Sequence, residues 1–264
     1  MIHTTVLVLL SSSSFTLVSA LQCFSCKMFI LGYLMTNDTV PSFSECSVIN
    51  ATRCSILVSW DLNTNLTIIV VDGENSLSKT NTSDDTVSPM VLMEQSHGVD
   101  IPLIGHSLEF SCTSLDKCNN ELNLKYILSS LVIEDKFVQE LLPLIQVVSP
   151  FVPQSAGCYE LNNSTSYCPQ KDLAACQRCQ ILDDRYSPLD QEVCATCPRD
   201  PTNKNLIARY ATFIFKNRTQ TVDHIQLDCQ NYGCNSIDNV KRIHENSKLT
   251  FDFDKFFNNP LIGN

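Results

Sequence analysis

Fourteen cysteines in 264 residues constrain this chain more than any other feature. The first six follow the pattern C-x2-C-x19-C-x7-C-x57-C-x5-C-N, and the last six follow C-x2-C-x14-C-x2-C-x31-C-x4-C-N. The order of short and long gaps is the same, and each series closes with Asn. We interpret this as two copies of one module, the alternative being coincidence among so many cysteines. The cysteines are Cys23, Cys26, Cys46, Cys54, Cys112, Cys118, Cys158, Cys168, Cys176, Cys179, Cys194, Cys197, Cys229 and Cys234.

The amino-terminal segment, residues 1–20, is typical of a secretory signal peptide. It contains no Asp, Glu, Lys or Arg, and Val18-Ser19-Ala20 gives a plausible cleavage point before Leu21. The alternative, a membrane-anchoring segment, needs roughly 20 apolar residues, and this run is shorter. Every cysteine follows the signal, which predicts an oxidising compartment and disulfides.

One metal site competes with that interpretation. The pairs Cys176/Cys179 and Cys194/Cys197 have near zinc-ribbon spacing, and four thiolates could close a tetrahedral site. Disulfides are favoured over zinc because the chain is predicted to fold outside the reducing cytosol.

Seven asparagines lie in N-x-S/T sequons and are predicted to be glycosylated in a secreted chain. They are Asn37, Asn50, Asn65, Asn81, Asn162, Asn163 and Asn217.

Composition argues against several classes of function. A formal net charge of −10 disfavours nucleic-acid binding, which needs a basic surface. No catalytic motif is present, so we expect no catalytic residues and no cofactor or metal. The acidic pairs Asp84-Asp85 and Asp183-Asp184 are typical of solvated loop charges. No transmembrane segment or lipid-anchor tail is evident in the sequence, which favours a secreted protein.

Strand patterns dominate the two cysteine-rich regions. The β-branched runs 54–60 and 66–71 flank a polar turn and predict a hairpin, and 210–215 with 220–227 predict another. The polar stretch 74–95 is interpreted as an extended loop. Trp60 lies on the first predicted hairpin, where it is either a binding anchor or, more simply, a packing residue.

The segment 121–157 between the copies predicts a helical linker. Apolar residues recur there at roughly helical spacing, Pro143 would end or kink the helix, and Pro150 and Pro153 follow. We expect the helix to pack across the two modules, and a helix that faces a partner or a membrane is the alternative.

Two motifs carry a family resemblance. Leu21-Gln22-Cys23-Phe24-Ser25-Cys26 opens the first copy and Asp116-Lys117-Cys118-Asn119-Asn120 closes it. Together they resemble the lymphocyte-antigen / urokinase-receptor superfamily of three-finger domains, most clearly over residues 21–120 and in degenerate form over 175–235. The resemblance implies hairpin fingers projecting from a disulfide knot. It also implies that Asn119 and Asn235 bond back to the knot.

The resemblance also implies a disulfide pairing, although the family's further pairs in the second and third fingers are missing here. Pairing nested within 176–197 favours the repeated module, and alternating pairing across 158–197 favours a different, cysteine-rich repeat. The implied pairs are Cys23–Cys54, Cys26–Cys46, Cys112–Cys118, Cys176–Cys197, Cys179–Cys194 and Cys229–Cys234, with Cys158–Cys168 left over.

The expected fold class is all-β, small and disulfide-rich, with two three-finger-like modules. The expected organisation is a signal peptide (1–20), module 1 (21–120), the helical linker (121–157), module 2 (158–236) and a carboxy-terminal tail (237–264). The expected function is that of a secreted, non-catalytic glycoprotein that binds an extracellular protein ligand or receptor through finger loops. The alternative is a structural, matrix-type glycoprotein with an EGF-like or receptor-type second half.

Overall fold

The computed structural model describes residues 20–75, 84–96, 98–146, 157–163, 168, 178–187, 190–198 and 204–258. The predicted signal peptide, apart from Ala20, lies outside the described residues. The same holds for Asn81 and Cys176.

The described chain is mostly β-structure and rich in disulfides, which confirms the expected fold class. The strands are β1 (Leu21–Ser25), β2 (Phe29–Leu31), β3 (Ser47–Ala51), β4 (Arg53–Asp61), β5 (Leu66–Glu74), β6 (Thr86–Ser96), β7 (Leu103–Cys112), β8 (Leu131–Asp135), β9 (Leu161–Asn162), β10 (Cys179–Ser187), β11 (Asp190–Thr196), β12 (Lys204–Ile214), β13 (Thr219–Cys229) and β14 (Ser247–Phe251). The helices are α1 (Glu121–Ser130), α2 (Phe137–Glu140), α3 (Leu142–Ile145), α4 (Ile237–Glu245) and α5 (Phe253–Phe257), with a 3-10 turn at Asn37–Thr39.

Ten of these strands form one antiparallel sheet with an internal two-fold relation. Its order is β2-β5-β4-β7-β6-β12-β13-β10-β11-β9. From the centre outward, β6, β7, β4, β5 and β2 of the first copy correspond to β12, β13, β10, β11 and β9 of the second. The central strands β6 and β12 run antiparallel, with Met90 opposite Tyr210. The two copies therefore join edge to edge, and their hairpins point in opposite directions.

The predicted loop over 74–95 is wrong, because β6 occupies 86–96 at the centre of this sheet. Pro89 argues against a central strand in the sequence. Proline has no backbone N–H to donate to a neighbouring strand and is normally confined to sheet edges. The β6–β12 ladder is interrupted opposite Pro89, between the pairs Met90–Tyr210 and Val87–Phe213. Both predicted hairpins, in contrast, are confirmed as β4–β5 and β12–β13.

The predicted helical linker is only partly helical. Helix α1 begins after Asn120, whose side chain caps it by accepting a hydrogen bond from Asn123 N–H. The helix ends at Ser130, and the next five residues form β8 instead of a second stretch of helix. β8 is a strand because it pairs antiparallel with β14, which follows α4 in the second copy. Thus α1–β8 and α4–β14 repeat one arrangement, and residues 147–156 lie outside the description.

The predicted carboxy-terminal tail is packed on the β12–β13 hairpin through aromatic rings. Phe215, at the end of the β12–β13 hairpin, stacks on Phe251 with ring centroids 5.4 Å apart and lies 6.0 Å from Phe110. Phe256 of α5 lies 4.7 Å from Phe215. These contacts close the far end of the second hairpin over the base of the first copy.

Six disulfides join pairs of described cysteines. Four of them confirm the implied pairing, namely Cys23–Cys54, Cys26–Cys46, Cys112–Cys118 and Cys229–Cys234.

The implied pairs Cys158–Cys168 and Cys179–Cys194 are wrong. Cys158 pairs with Cys179, and Cys168 pairs with Cys194. Cys197 is also disulfide-bonded, and its implied pairing with Cys176 stays a prediction because Cys176 is not described. Cys179 and Cys194 lie in disulfides and so cannot supply the thiolates of the alternative zinc site.

The physical reason for the misassignment is that the second copy begins at Cys158, not at Cys176. Its disulfide to Cys179 is attached to β10, and β10 occupies the position that β4, which carries Cys54, has in the first copy. The alternating pairing is the one expected for a different cysteine-rich repeat. The strand order nevertheless repeats that of the first copy, which supports the repeated module.

Asn119 and Asn235, which close the two cysteine series, make equivalent hydrogen bonds in the two copies. Asn119 is fully buried, and its Nδ2 donates to the carbonyl oxygens of Phe24, Ser55 and Asp72 at 2.9, 3.3 and 3.1 Å. Its Oδ1 accepts from Phe24 N–H at 2.9 Å. The implied role of this asparagine in binding the backbone of the knot is thereby confirmed.

Asn235 makes the same set of bonds in the second copy. It is fully buried, and its Nδ2 donates to the carbonyl oxygens of Tyr159, Gln180 and Thr196. Its Oδ1 accepts from Tyr159 N–H at 2.9 Å. Phe24 and Tyr159 each follow the first cysteine of a copy, and Ser55 and Gln180 each follow its disulfide partner.

We expect Asn119→Ala to lower the free energy of unfolding by about 2–4 kcal/mol, because it leaves several buried backbone groups without a partner. Asn235→Ala should cost a similar amount. Urea denaturation of the purified variants measures this. Asn120→Ala is the matched control, because it removes only a half-exposed helix cap worth about 1 kcal/mol. Equal losses in Asn119→Ala and Asn120→Ala would contradict the buried network.

The two faces of the ten-stranded sheet differ in what covers them. Alternate residues such as Val91, Leu108, Ile207 and Ile225 are fully buried. This covered face packs against the helices and the β8–β14 pair. The residues in between form an open face that no described element covers with a comparable core. Period-two alternation makes one face of each strand apolar and buried and aims the other at solvent.

Candidate binding surface

The open face carries a row of side chains in register across the first copy. Ile30, Ile68, Ser59, Ser107 and Met90 lie side by side on β2, β5, β4, β7 and β6. The large apolar members stand at the outside of this row, and the two serines stand in the middle. The row therefore has raised apolar sides and a low, small-residue floor.

That floor forms a trough along the strands. Asp61, Gly105 and Leu92 form the next row, with Leu66 beside Asp61. A Cβ at Gly105 would lie 3.2 Å from the carbonyl oxygen of Trp60, so only glycine keeps the floor this low. The trough encloses about 220 Å³. Its sides, β5 and β6, are three strand spacings apart, which corresponds to about 14 Å.

An exposed apolar hairpin tip continues the trough. Between β6 and β7, Val99 is 51 % exposed and Ile101 is 69 % exposed, and Leu103 at the start of β7 is 46 % exposed. Leu103 also lines the trough. Single exposed apolar residues are ordinary, whereas a contiguous patch marks a site of interaction. We name Val99, Ile101, Leu103, Leu66, Ile68 and Leu92 the apolar strip.

Beyond the centre of the sheet the open face becomes polar. Tyr210 stacks on His224 with ring centroids 4.6 Å apart, and His224 Nδ1 bonds to Asp184. Burial raises the pKa of Tyr210, and the charges of Asp184 and Tyr186 raise it further. The apolar strip thus belongs to the first copy and ends near Met90.

One carboxylate lies in the trough itself. The hydroxyl of Thr64 lowers the pKa of Asp61, and the backbone N–H groups of Asn63 and Thr64 lower it further, against a small opposing effect of burial. Asp61 is therefore a stable negative charge beside the apolar strip.

Trp60 is a packing residue and not a surface anchor. Its side chain lies on the covered side of β4, where it is 8 % exposed, and its Nε1 donates to Met35 O at 3.0 Å. Of the two interpretations drawn from the sequence, the structure supports packing.

The described sequon asparagines are distributed over the surface, and their glycosylation stays a prediction. Asn50, Asn65, Asn162, Asn163 and Asn217 are exposed, and Asn37 is half-buried. Asn65 and Asn217 occupy hairpin turns in the left-handed region or beside it, since φ is 54° at Asn65 and 51° at Arg218. Asn163 Nδ2 donates to Gln191 O at 3.5 Å, an interaction that a glycan on that nitrogen would replace.

The acidic pairs predicted as solvated loop charges have structural roles instead. Asp183 is fully buried on β10, where Arg185 Nε donates to it at 2.8 Å and Gln191 also bonds to it. Asp85 accepts hydrogen bonds from the backbone of Thr113 and Ser114 at the base of the β6–β7 hairpin. Hydrophilic composition alone could not reveal these contacts, because strand pairing brings Gln191 beside Asp183 and the fold brings Thr113 and Ser114 beside Asp85.

The fold and its cysteines define a small, mostly β, disulfide-rich protein of the kind that folds in an oxidising compartment. Among the described residues, no helix is both long and apolar enough to cross a bilayer. No protein-family model, no curated protein and no solved structure matches the chain.

Proposed function

We propose that this protein is a secreted, non-catalytic glycoprotein of the three-finger type that binds an extracellular protein partner through the open face of its first copy. The observation that carries the proposal is the apolar strip, which runs from an exposed hairpin tip into the trough. The resemblance of residues 21–120 to three-finger domains and the disulfide frame support the same proposal. In it, the hairpins β4–β5 and β6–β7 act as fingers.

The trough has the dimensions of an anchor site for a protein side chain. At about 220 Å³ it is smaller than most small-molecule pockets, which span roughly 300–1,000 Å³. Interface hot spots are single large residues that fill such pockets within a ring of weaker contacts. Ile101 and Val99 supply an exposed apolar rim, and Asp61 supplies a charge that sets orientation.

A matrix-type structural protein remains the second candidate. The alternating pairing of Cys158 with Cys179 and Cys168 with Cys194 favours it, since this pattern was expected of a different cysteine-rich repeat. A matrix protein should stay with the insoluble extracellular material after non-denaturing extraction. A finger-type binding protein should be recovered from the medium.

We expect Ile101→Asp and Leu103→Asp each to weaken binding of the labelled full chain to the surface of receptive cultured cells by tenfold or more. The added charge would have to be desolvated in the interface. Flow cytometry measures the binding, and trypsin treatment of the cells should abolish it, as expected for a protein receptor.

The matched control is Leu115→Asp, which changes another exposed leucine (65 % exposed) outside the strip. It should bind as the unmodified chain does. Secretion and non-reducing gel mobility verify that all three variants fold. Unchanged binding of both strip variants, or binding that survives trypsin, would refute the proposed surface.

A further inference from the structure

We propose a second site, on the opposite side of the sheet, that binds a small uncharged molecule with an apolar body and one hydroxyl group. The site is a cavity of about 470 Å³ between helix α1, strand β8 and the segment 34–37. This volume lies within the range of small-molecule sites, roughly 300–1,000 Å³. Its apolar walls include Leu34, Leu62, Leu128, Leu131 and Ile133.

One wall of this cavity is held in place by buried hydrogen bonds. Thr67 Oγ1 donates to Tyr33 O at 2.7 Å and accepts from Met35 N–H at 2.9 Å. Trp60 Nε1 donates to Met35 O at 3.0 Å. The wall is therefore formed before any ligand arrives, which lowers the entropic cost of binding.

Three polar residues line the cavity, Thr36, Asn37 and His106, and among them His106 is paired with a largely buried carboxylate. Its Nε2 lies 2.6 Å from Asp135 Oδ2, and both side chains are largely buried. Burial alone would raise the pKa of Asp135, but the hydrogen bonds from His106 and from Phe137 N–H lower it overall. Asp135 is thus a carboxylate that accepts a proton-bearing Nε2, and it fixes the orientation of the ring.

The hydrogen bonding of the His106 ring determines which ligand head group fits the cavity. With Nε2 bonded to Asp135, Nδ1 is the ring nitrogen left for a ligand, and a hydroxyl group can pair with it as donor or as acceptor. A carboxylate cannot donate, and it would also lie close to the carboxylate of Asp135 in a chain of net charge −10. Neutral alcohols and phenols are therefore the class that fits.

This site lies on the other side of the sheet from the proposed partner surface. The apolar strip is on the open face, although Trp60 and His106 line both the trough and this cavity. Trp60 is the chain's single tryptophan, so its fluorescence reports on occupancy of either site, and a variant in the trough is needed to tell the two apart.

The test is a titration of the purified, disulfide-intact chain with three molecules that share a nine-carbon chain: 1-nonanol, nonanoate and nonylamine. We expect 1-nonanol to change Trp60 emission saturably, with a Kd at least tenfold below those of nonanoate and nonylamine. His106→Phe, which keeps a ring but removes Nδ1, should weaken 1-nonanol binding about tenfold. Leu103→Asp, in the trough, should leave it unchanged.

Equal affinities for the three head groups, or no saturable response to 1-nonanol, would overturn the proposal without any variant. Full 1-nonanol affinity in His106→Phe would overturn the role of His106. If nonylamine binds more tightly than 1-nonanol, the ligand's head group pairs with the carboxylate of Asp135. That result would contradict a hydroxyl ligand. None of these outcomes bears on cell-surface binding, so the two proposals fail separately.

Discussion

Cys158→Ser and Cys179→Ser should each keep the protein inside the cell, as should Cys23→Ser and Cys54→Ser. The Cys158–Cys179 bond closes the second copy in the way that Cys23–Cys54 closes the first. Loss of a native disulfide from a small domain costs about 2–5 kcal/mol, against a total of about 5–15 kcal/mol. Immunoblots of medium and cell lysate measure the retention.

In each Cys→Ser variant, the cysteine that loses its partner becomes a free thiol. The identity of that cysteine distinguishes the observed disulfide pairing from the pairing that the family resemblance implies. Cys158→Ser should leave Cys179 open to alkylation, and Cys168→Ser should leave Cys194 open. Peptide mapping after alkylation without reduction identifies the modified cysteine. If Cys158→Ser instead frees Cys168, the second copy does not begin at Cys158, and its equivalence to the first copy fails.

Local patterns were enough to predict much of the first copy. The runs 54–60 and 66–71 are β-branched and bounded by polar turn residues, so their hairpin follows from short-range chemistry. The opening and closing motifs of residues 21–120 placed the knot and its asparagine correctly. Cys229–Cys234, which the family resemblance implies, is also observed.

The sequence could not reveal features that depend on distant strands. Module 2 is placed at 158–236, but its cysteine pattern is aligned with that of the first copy from Cys176, because the spacing of Cys176 and Cys179 imitates that of Cys23 and Cys26. One signal pointed to Cys158 instead. An aromatic residue follows it, Tyr159, just as Phe24 follows Cys23, and each donates its backbone N–H to a closing asparagine.

The binding surface was hidden for a related reason. The two serines and the glycine come from two strands, Ser59 from β4 and both Gly105 and Ser107 from β7, and only register places them together. One apolar side of the trough comes from β6. The sequence of this strand predicts a loop because it contains Pro89 and several polar residues. The trough is formed by four paired strands, so the sequence of any one strand does not predict it.

The second large effect is expected at a buried ion pair under helix α4. Arg209 is 4 % exposed, and its Nε and Nη2 each donate to Asp223 at 2.8 Å. Its Nη1 donates to the carbonyl oxygens of His244 and Ser247 at 3.2 and 2.7 Å. One side chain thereby ties β12 and β13 to the end of α4 and the start of β14.

Arg209→Met should lower the free energy of unfolding by about 3–5 kcal/mol, because it leaves Asp223 buried without its main partner. Urea denaturation at pH 7 measures the loss. Replacing both partners, as in Arg209→Met with Asp223→Leu, should recover a good part of it, since no charge is then left uncompensated. A double variant that is less stable than Arg209→Met would contradict this explanation.

The same pair predicts a pH dependence with a definite sign. Burial alone would raise the pKa of Asp223, but hydrogen bonds from His244 and Arg209, and their charges, hold that pKa far below its ordinary range. A carboxyl group whose folded pKa is lowered stabilises the fold above its unfolded pKa, near 3.9, and loses that contribution as the pH falls towards its folded pKa. The stability difference between the unmodified chain and Asp223→Asn should therefore be fully present at about pH 5. Below about pH 4 it should shrink by up to about 1.4 kcal/mol per pH unit, because only the unmodified chain carries this acid. A difference that stays constant down to pH 2 would show that Asp223 is not held as a carboxylate by Arg209 and His244.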